Sequence, residues 1–200
     1  IALPLTVVQT AFADSMNHLS DRLEKGESLR DAVASMFTEN KRIVFNGNGY
    51  SEEWHEEAVK RGLPNYKQSI EAYGVLARES AKKLFEGQKV LSAEELDARV
   101  KIMFETHVET VLIEANVMLD MLQQGVLPAC ADDLSSYEGS SAREMLAGTR
   151  PELYARLAKL TQQLSDAIDE MPDADKVGVE AVAKYTQDVL RAKMKETRFV

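Results

Sequence analysis

"SAEELDARVKIMFETHVETVLIEANVMLDMLQ", Ser92 to Gln123, decides the fold class. Val100, Phe104, Val108, Val111, Ala115, Met118 and Leu122 recur at steps of three and four, the spacing that puts side chains on one face of an α-helix. Ser92 and Glu95 stand three apart at its start, the sequence form of a capping box. A helix from Ala93 to Gln123 would be about 45 Å long. Pro128 should end or kink it, because proline lacks the N–H that continues the ladder. An apolar stripe of that length needs partners of its own kind.

Such partners lie on both sides. Towards the N-terminus, Val8, Phe12, Met16, Leu19 and Leu23 form a stripe on a helix that starts near Leu3-Pro4 and stops at Gly26. Ser28 caps a shorter helix through Ala32, Val33, Met36 and Phe37. Ser51 is expected to cap "EEWHEEAVKR", which stops at Gly62 with Pro64 beyond. Residues Ser69 to Phe85 read as helix with a break near Gly74. Towards the C-terminus, "DDLSSYEGSSA", Asp132 to Ala142, is polar and small, a linker. Thr149 and Glu152 suggest a second capping box before the stripe Leu153, Leu157, Leu160, Leu164, Ile168 and Met171. A last helix is expected from about Asp175 to Arg198. The pattern predicts an all-α chain: an antiparallel helical bundle with one long central helix.

Composition narrows the function. The chain has 200 residues, 44% hydrophobic and 28% charged, which is globular rather than disordered. Its net charge is −9, from 33 acids against 24 bases, so phosphate backbones are repelled on average and nucleic acid is not an expected partner. The one basic concentration, Arg191 to Arg198, suits the negative end of a helix dipole. No apolar run is long enough to span a membrane. The single cysteine, Cys130, excludes an internal disulfide and suits a reducing cytoplasm. It has no marked basic neighbour and reads as a buried structural thiol, while the methionines read as core packing.

Catalytic motifs are scarce. His55-Glu56 lacks the second histidine of a zinc-protease helix, since position 59 is Val59. Glu52 and His55 form one Glu-x-x-His, but a carboxylate-bridged metal pair needs a second such motif and two more carboxylates. No metal site is expected, and His18, His55 and His107 read as ordinary helix residues.

"KRIVFNGNGYSEEW", Lys41 to Trp54, is the irregular stretch. Two Asn-Gly pairs predict tight reversals at positive φ, and the Asn46 and Asn48 amides can bond local backbone or a ligand. No Gly-Lys-Ser/Thr follows, so this is not a phosphate loop. The stretch closely resembles a signature in the C-terminal part of type III glutamine synthetases. "EEAVKRGLPN", Glu56 to Asn65, and "IEANVMLDMLQQGVLPA", Ile113 to Ala129, are similar to that family's flanking helices. "IALPLTVVQTAFADSM" resembles the helix after its last catalytic strand, and "AKYTQDVLRAKMKETR" is similar to its closing helix.

The resemblance implies a cytoplasmic ATP-dependent glutamate–ammonia ligase of nitrogen assimilation as parent, using ATP with Mg2+ or Mn2+ and assembling as a homo-oligomer, a double ring. The family's metal carboxylates and phosphate arginines lie on a sheet upstream of these helices. No catalytic motif of the family matches a position here, so no catalytic residue is assigned, and the chain alone is expected to be inactive and to carry no cofactor. The chain lacks the family's terminal Trp-Pro-x-Pro-x-Tyr segment and an initiator Met, both of which point to a piece of a longer protein. The implied organisation is residues 1–40 continuing from the parent's catalytic domain, 41–66 as signature loop and short helix, and 67–200 as a C-terminal helical bundle. The implied partner is the parent's own upstream catalytic domain; Asn46, Gly47, Asn48, Gly49 and Tyr50 are expected to form a loop that docks on it, a contact near the nucleotide or glutamate being the other reading. A stand-alone helical scaffold module without ligase activity is the alternative.

Overall fold

The computed structural model describes residues 2–199. Helices follow one another throughout, with no strand among the described residues. The chain divides into two compact units, residues 2–100 and 101–199, with the division inside the longest helix.

In the first unit, α1 (Ala2–Glu24) and α2 (Leu29–Glu39) are joined by a sharp reversal. Gly26 takes φ +89°, its N–H donates to Leu23 O, and the Glu27 N–H donates to Arg22 O. Those two bonds satisfy carbonyls that the helix end leaves open. Arg22 clasps Glu27 through two 2.6 Å bonds just past the turn. The Ser28 hydroxyl accepts from the Asp31 N–H, as its position predicts. A 3₁₀ turn (Lys41–Ile43) and an irregular loop lead to α3 (Glu52–Lys60). Gly62, at φ +68°, closes α3 with the same pair of bonds, to Val59 O and from Leu63 to Ala58 O.

Then come α4 (Ser69–Leu76) and α5 (Glu79–Gly87). The break falls at Ala77-Arg78 rather than Gly74, because Arg78 is extended (ψ 148°) while Gly74 stays helical. α1 packs against α2 and α5. Gln88, at the end of α5, reaches α1 by accepting from the Asn17 amide and donating to Asp14, both at 2.9 Å. The buried apolar residues of this unit are Ala32, Ala58, Phe85, Leu96 and Val100, a small core for so many helices.

The long helix α6 (Ala93–Met121) starts as expected. The Glu95 N–H donates to Ser92 Oγ and the Ser92 N–H donates to Glu95 Oε2, the reciprocal pair of a capping box. Of the seven stripe positions, Val100, Phe104, Val111, Ala115 and Leu122 are buried, and Val108 and Met118 are half-buried. Pro128 does not end the helical run. A π turn (Leu122–Val126) precedes α7 (Leu127–Ser135), and the Leu127 N–H donates to Leu122 O five residues back. One extra residue in the turn puts the proline into the first turn of α7, where it needs no donor. The first four residues of the expected linker, Asp132 to Ser135, are therefore helix.

After α8 (Arg143–Ala147) comes α9 (Arg150–Asp169). The Thr149–Glu152 box does not form. Thr149 sits at ψ 0°, whereas a capping residue needs an extended backbone to aim its oxygen at the helix. Arg150 knits this corner instead. It donates to Leu146 O at 2.6 Å, to Ala147 O at 3.0 Å and to Asp133 Oδ1 at 2.9 Å, and lies 5.0 Å from the Tyr137 ring centre.

The last helix is broken rather than continuous. α10 (Ala174–Val177) stops at Gly178, at φ +85°. α11 (Val179–Tyr185) then passes through a second π turn (Thr186–Leu190) into α12 (Arg191–Arg198). Val111, Ala167 and Leu190 meet in one core, flanked by Leu112, Ile168, Met171, Tyr185, Val189 and Met194. The Tyr185 hydroxyl donates to Ala167 O at 2.8 Å, satisfying its polar end inside that core.

Candidate functional site

The loop from Arg42 to Ser51 is held by two clasps. The first is aromatic: the Phe45 ring stacks on Trp54 of α3, with centres 4.6 Å apart and planes 29° off parallel. Arg61, the residue after α3, covers the other components. Its guanidinium lies 5.7 Å from the Trp54 ring centre, donates to Val44 O at 2.7 Å and Arg42 O at 3.3 Å, and pairs with Glu57 at 2.7 Å. Arg61 thus ties the entry of the loop to the exit of the helix that follows it. Nothing in the spacing singles out Arg61, since its partners are backbone carbonyls 17 and 19 residues away.

The second clasp is local. Asn48 Oδ1 accepts from the Tyr50 N–H at 3.0 Å, and Asn48 O accepts from both the Ser51 N–H and the Ser51 hydroxyl. Asn48 therefore turns the chain into α3, an Asx turn. Ser51 occupies the N-cap position with an extended backbone, but its hydroxyl donates backwards to the loop instead of capping the helix. Glu52 and Glu53 supply the first-turn charge.

Neither Gly47 nor Gly49 has positive φ, contrary to the reading of the Asn-Gly pairs. Gly47 is required for space: a Cβ there would stand 2.7 Å from Cε1 and Cζ of Phe45. Gly49 has nothing within 4 Å of such a Cβ, so nothing among the described residues requires a glycine there. Asn46, Gly47, Asn48, Gly49 and Tyr50 are all exposed, and Tyr50 is 96% exposed. Ile43 and Val44 are exposed too, so Phe45 alone anchors the apolar run.

The same unit presents further apolar side chains outward. On α1, Leu5, Val8, Phe12, Met16 and Leu23 are exposed, and they lie on one helical face. On α2, Leu29, Val33 and Phe37 do likewise at four-residue steps. Phe12 is 66% and Phe37 is 65% exposed, which for large apolar rings is unusual unless another surface covers them. The stripe read on α1 is thus real as a pattern, but Thr10 is the residue of α1 that is buried.

The remaining candidates separate. Cys130 is half-buried, lining an open groove of about 790 Å³ with Tyr154 and Gly125 of the first π turn. Met121 and Met145 are exposed, so core packing does not account for every methionine. His18 and His55 are exposed. His107 is different: Nε2 is buried without a hydrogen-bond partner, and burial, with the nearby Arg191 charge, holds its pKa below the usual value against an opposing pull from Glu114. No cluster of three or more His, Cys, Asp or Glu among the described residues could hold a metal ion, so the donor set does not fit a divalent cation. No helix of the described residues is long and apolar enough to cross a membrane.

These features define a helical region whose irregular loop is held by internal contacts and exposes its Asn-Gly residues. Residues 28–142 match the model of the glutamine synthetase C-terminal domain, and the chain belongs to that family. The match starts after α1 and takes in the loop and all of α6. The chain is 32% identical over 137 residues to the type-3 glutamine synthetase of Dictyostelium discoideum, covering 65% of this chain and 19% of that protein. It is 31% identical over 125 residues to a glutamine synthetase of Butyrivibrio fibrisolvens, covering 60% and 17%. With a glutamine synthetase of Bacteroides fragilis it shares 25% identity over 194 residues, covering 88% and 27%. The chain thus spans between about a sixth and a quarter of the length of these curated relatives.

Proposed function

We propose that the chain is the non-catalytic helical part of a glutamine synthetase, a cytoplasmic ligase that joins ammonia to glutamate at the expense of ATP in nitrogen assimilation. Its role is to seat the parent's catalytic domain and support assembly into a homo-oligomer. ATP and the Mg2+ or Mn2+ of such an enzyme would be bound upstream, because the carboxylates here are not grouped for a cation. One observation carries this reading: α1 and α2, neighbours in one unit, both turn large apolar residues outward, and the same unit carries the exposed loop of Asn46 to Tyr50. The exposed amides and Gly49 of that loop suit close approach by another backbone.

The test uses the full-length parent. Phe12→Asp with Phe37→Asp changes exposed residues, so this chain's helix content should be preserved. Seating predicts that the parent loses assembly and ligase activity together. Gly49→Val leaves the loop itself unstrained and should weaken assembly in the same way. Wild-type assembly and turnover in both variants would refute the reading. Lost turnover with assembly intact in Gly49→Val would move the loop from the docking surface to the substrate.

A further inference from the structure

We propose that the groove between α6 and α12 is a binding site for a small organic anion carrying two or more negative charges. Arg191, Lys195 and Arg198 line it from α12, Glu114 and Met118 line it from α6, and Phe199 lines it just past the end of α12, around a space of about 560 Å³. That volume is in the range of small-molecule pockets.

The charge is out of character for the molecule. Three cations face one carboxylate in a chain whose net charge is −9. The three stand at i, i+4 and i+7, so they share one side of α12. Among the described residues none of them forms an ion pair, and the partner of Arg191 is the Gln187 side chain at 3.4 Å. The neighbouring Lys193, in contrast, is taken up by Glu196 and Gln163. The α12 carboxyl end contributes roughly half a negative charge, which accounts for part of one cation and not for three. A concave site lined by one sign concentrates ligands of the other. Guanidinium forks suit phosphate or carboxylate oxygens, and Met118, Met194 and Phe199 offer contact to an apolar body.

His107 provides an independent readout. It lies on α6 about two and three turns before the groove residues Glu114 and Met118, with Arg191 holding its proton affinity down and Glu114 holding it up. An anion beside Arg191 offsets the guanidinium field, so His107 should titrate at higher pH when the groove is filled. By linkage, binding should tighten as pH falls.

The chain is titrated with pyrophosphate and, separately, with citrate at low salt, by calorimetry and by NMR of the His107 Cε1–H. Saturable binding of either with an upward His107 titration shift is expected. Pyrophosphate alone would indicate a phosphate-bearing ligand, citrate alone a polycarboxylate. Lys195→Gln with Arg198→Gln should weaken binding tenfold or more, as the loss of charge-assisted bonds implies. Glu114→Gln should tighten it severalfold, an effect that damage to the fold would not produce. The proposal is overturned if neither anion binds, or if the double variant binds as well as the wild type.

Discussion

Replacing Arg61 by Ala should open the signature loop without unfolding the unit around it. The magnitude follows from four contacts. The 2.7 Å bond to Val44 O is charge-assisted but partly wet, since the Arg61 side chain is 27% exposed. It merits about 1 kcal/mol, and the 3.3 Å bond to Arg42 O about half of that. The cation–π contact with Trp54 adds about 0.5 kcal/mol and the Glu57 pair about 0.3–0.5. Together they give about 2 kcal/mol, a thirtyfold shift in a local opening equilibrium. Trp54 is the one tryptophan of the chain, so its emission reports directly on the Phe45 stack. Arg61→Ala should redshift that emission and speed exchange of the Val44, Tyr50 and Ser51 amides about thirtyfold, with little change in exchange across α6. Arg61→Lys should recover little, because one ammonium cannot serve two carbonyls and Glu57 while covering the ring. Unchanged emission and amide protection in Arg61→Ala would show that the aromatic stack and the Asx turn hold the loop without it. Full rescue by lysine would reduce the role of Arg61 to its charge.

Lys89 closes α5 at φ +54° with the same bond pair that Gly26 and Gly62 make, so Lys89→Gly should raise stability by about 0.5–1 kcal/mol in urea denaturation. Ser92→Ala removes one half of a formed capping box and should cost about 1 kcal/mol, with faster amide exchange confined to the first turn of α6. His107 is held below its ordinary 6.5 in the folded chain, so the unfolded chain takes up that proton first as pH falls. Stability from this site is complete above about pH 6.5 and is lost progressively below it. His107→Gln should flatten the dependence of Tm on pH between 7 and 5; an equally steep profile would mean that another group controls it.

Local signals were legible where one or two residues decide the backbone. Gly26, Gly62, Ser28 and the Ser92–Glu95 pair did what their positions predict, because each acts through bonds within five residues. The same signals failed where a competing neighbour took over. Thr149 carries the capping motif, but Arg150 grips the preceding carbonyls and holds Thr149 at ψ 0°. Pro128 carries the stop signal, but the π turn before it absorbs the mismatch and the helical run goes on. Periodicity placed the α6 stripe in a core correctly, and by the same rule it placed the α1 stripe in a core that the described residues of its own unit do not supply. A period of 3.6 says which residues want cover; it does not say which chain gives it.

That distinction bears on the loop. Read as sequence, two Asn-Gly pairs suggest two tight reversals, yet the pairs have unequal tasks. Gly47 answers to Phe45, and Asn48 to Tyr50 and Ser51, so these two are explained inside the chain. Asn46, Gly49 and Tyr50 are not: Tyr50 projects almost wholly into solvent, and a Cβ on Gly49 would touch nothing. A loop built for its own stability would have no use for an exposed tyrosine beside an unnecessary glycine, since the first leaves apolar area wet and the second adds entropy to the unfolded chain. The internal clasps fix the backbone so that the residues with no internal task are presented outward. The exposed faces of α1 and α2 belong to the same unit and pose the same question, and under the seating proposed above a partner surface that covers the helices while a backbone passes close to Gly49 would answer both at once.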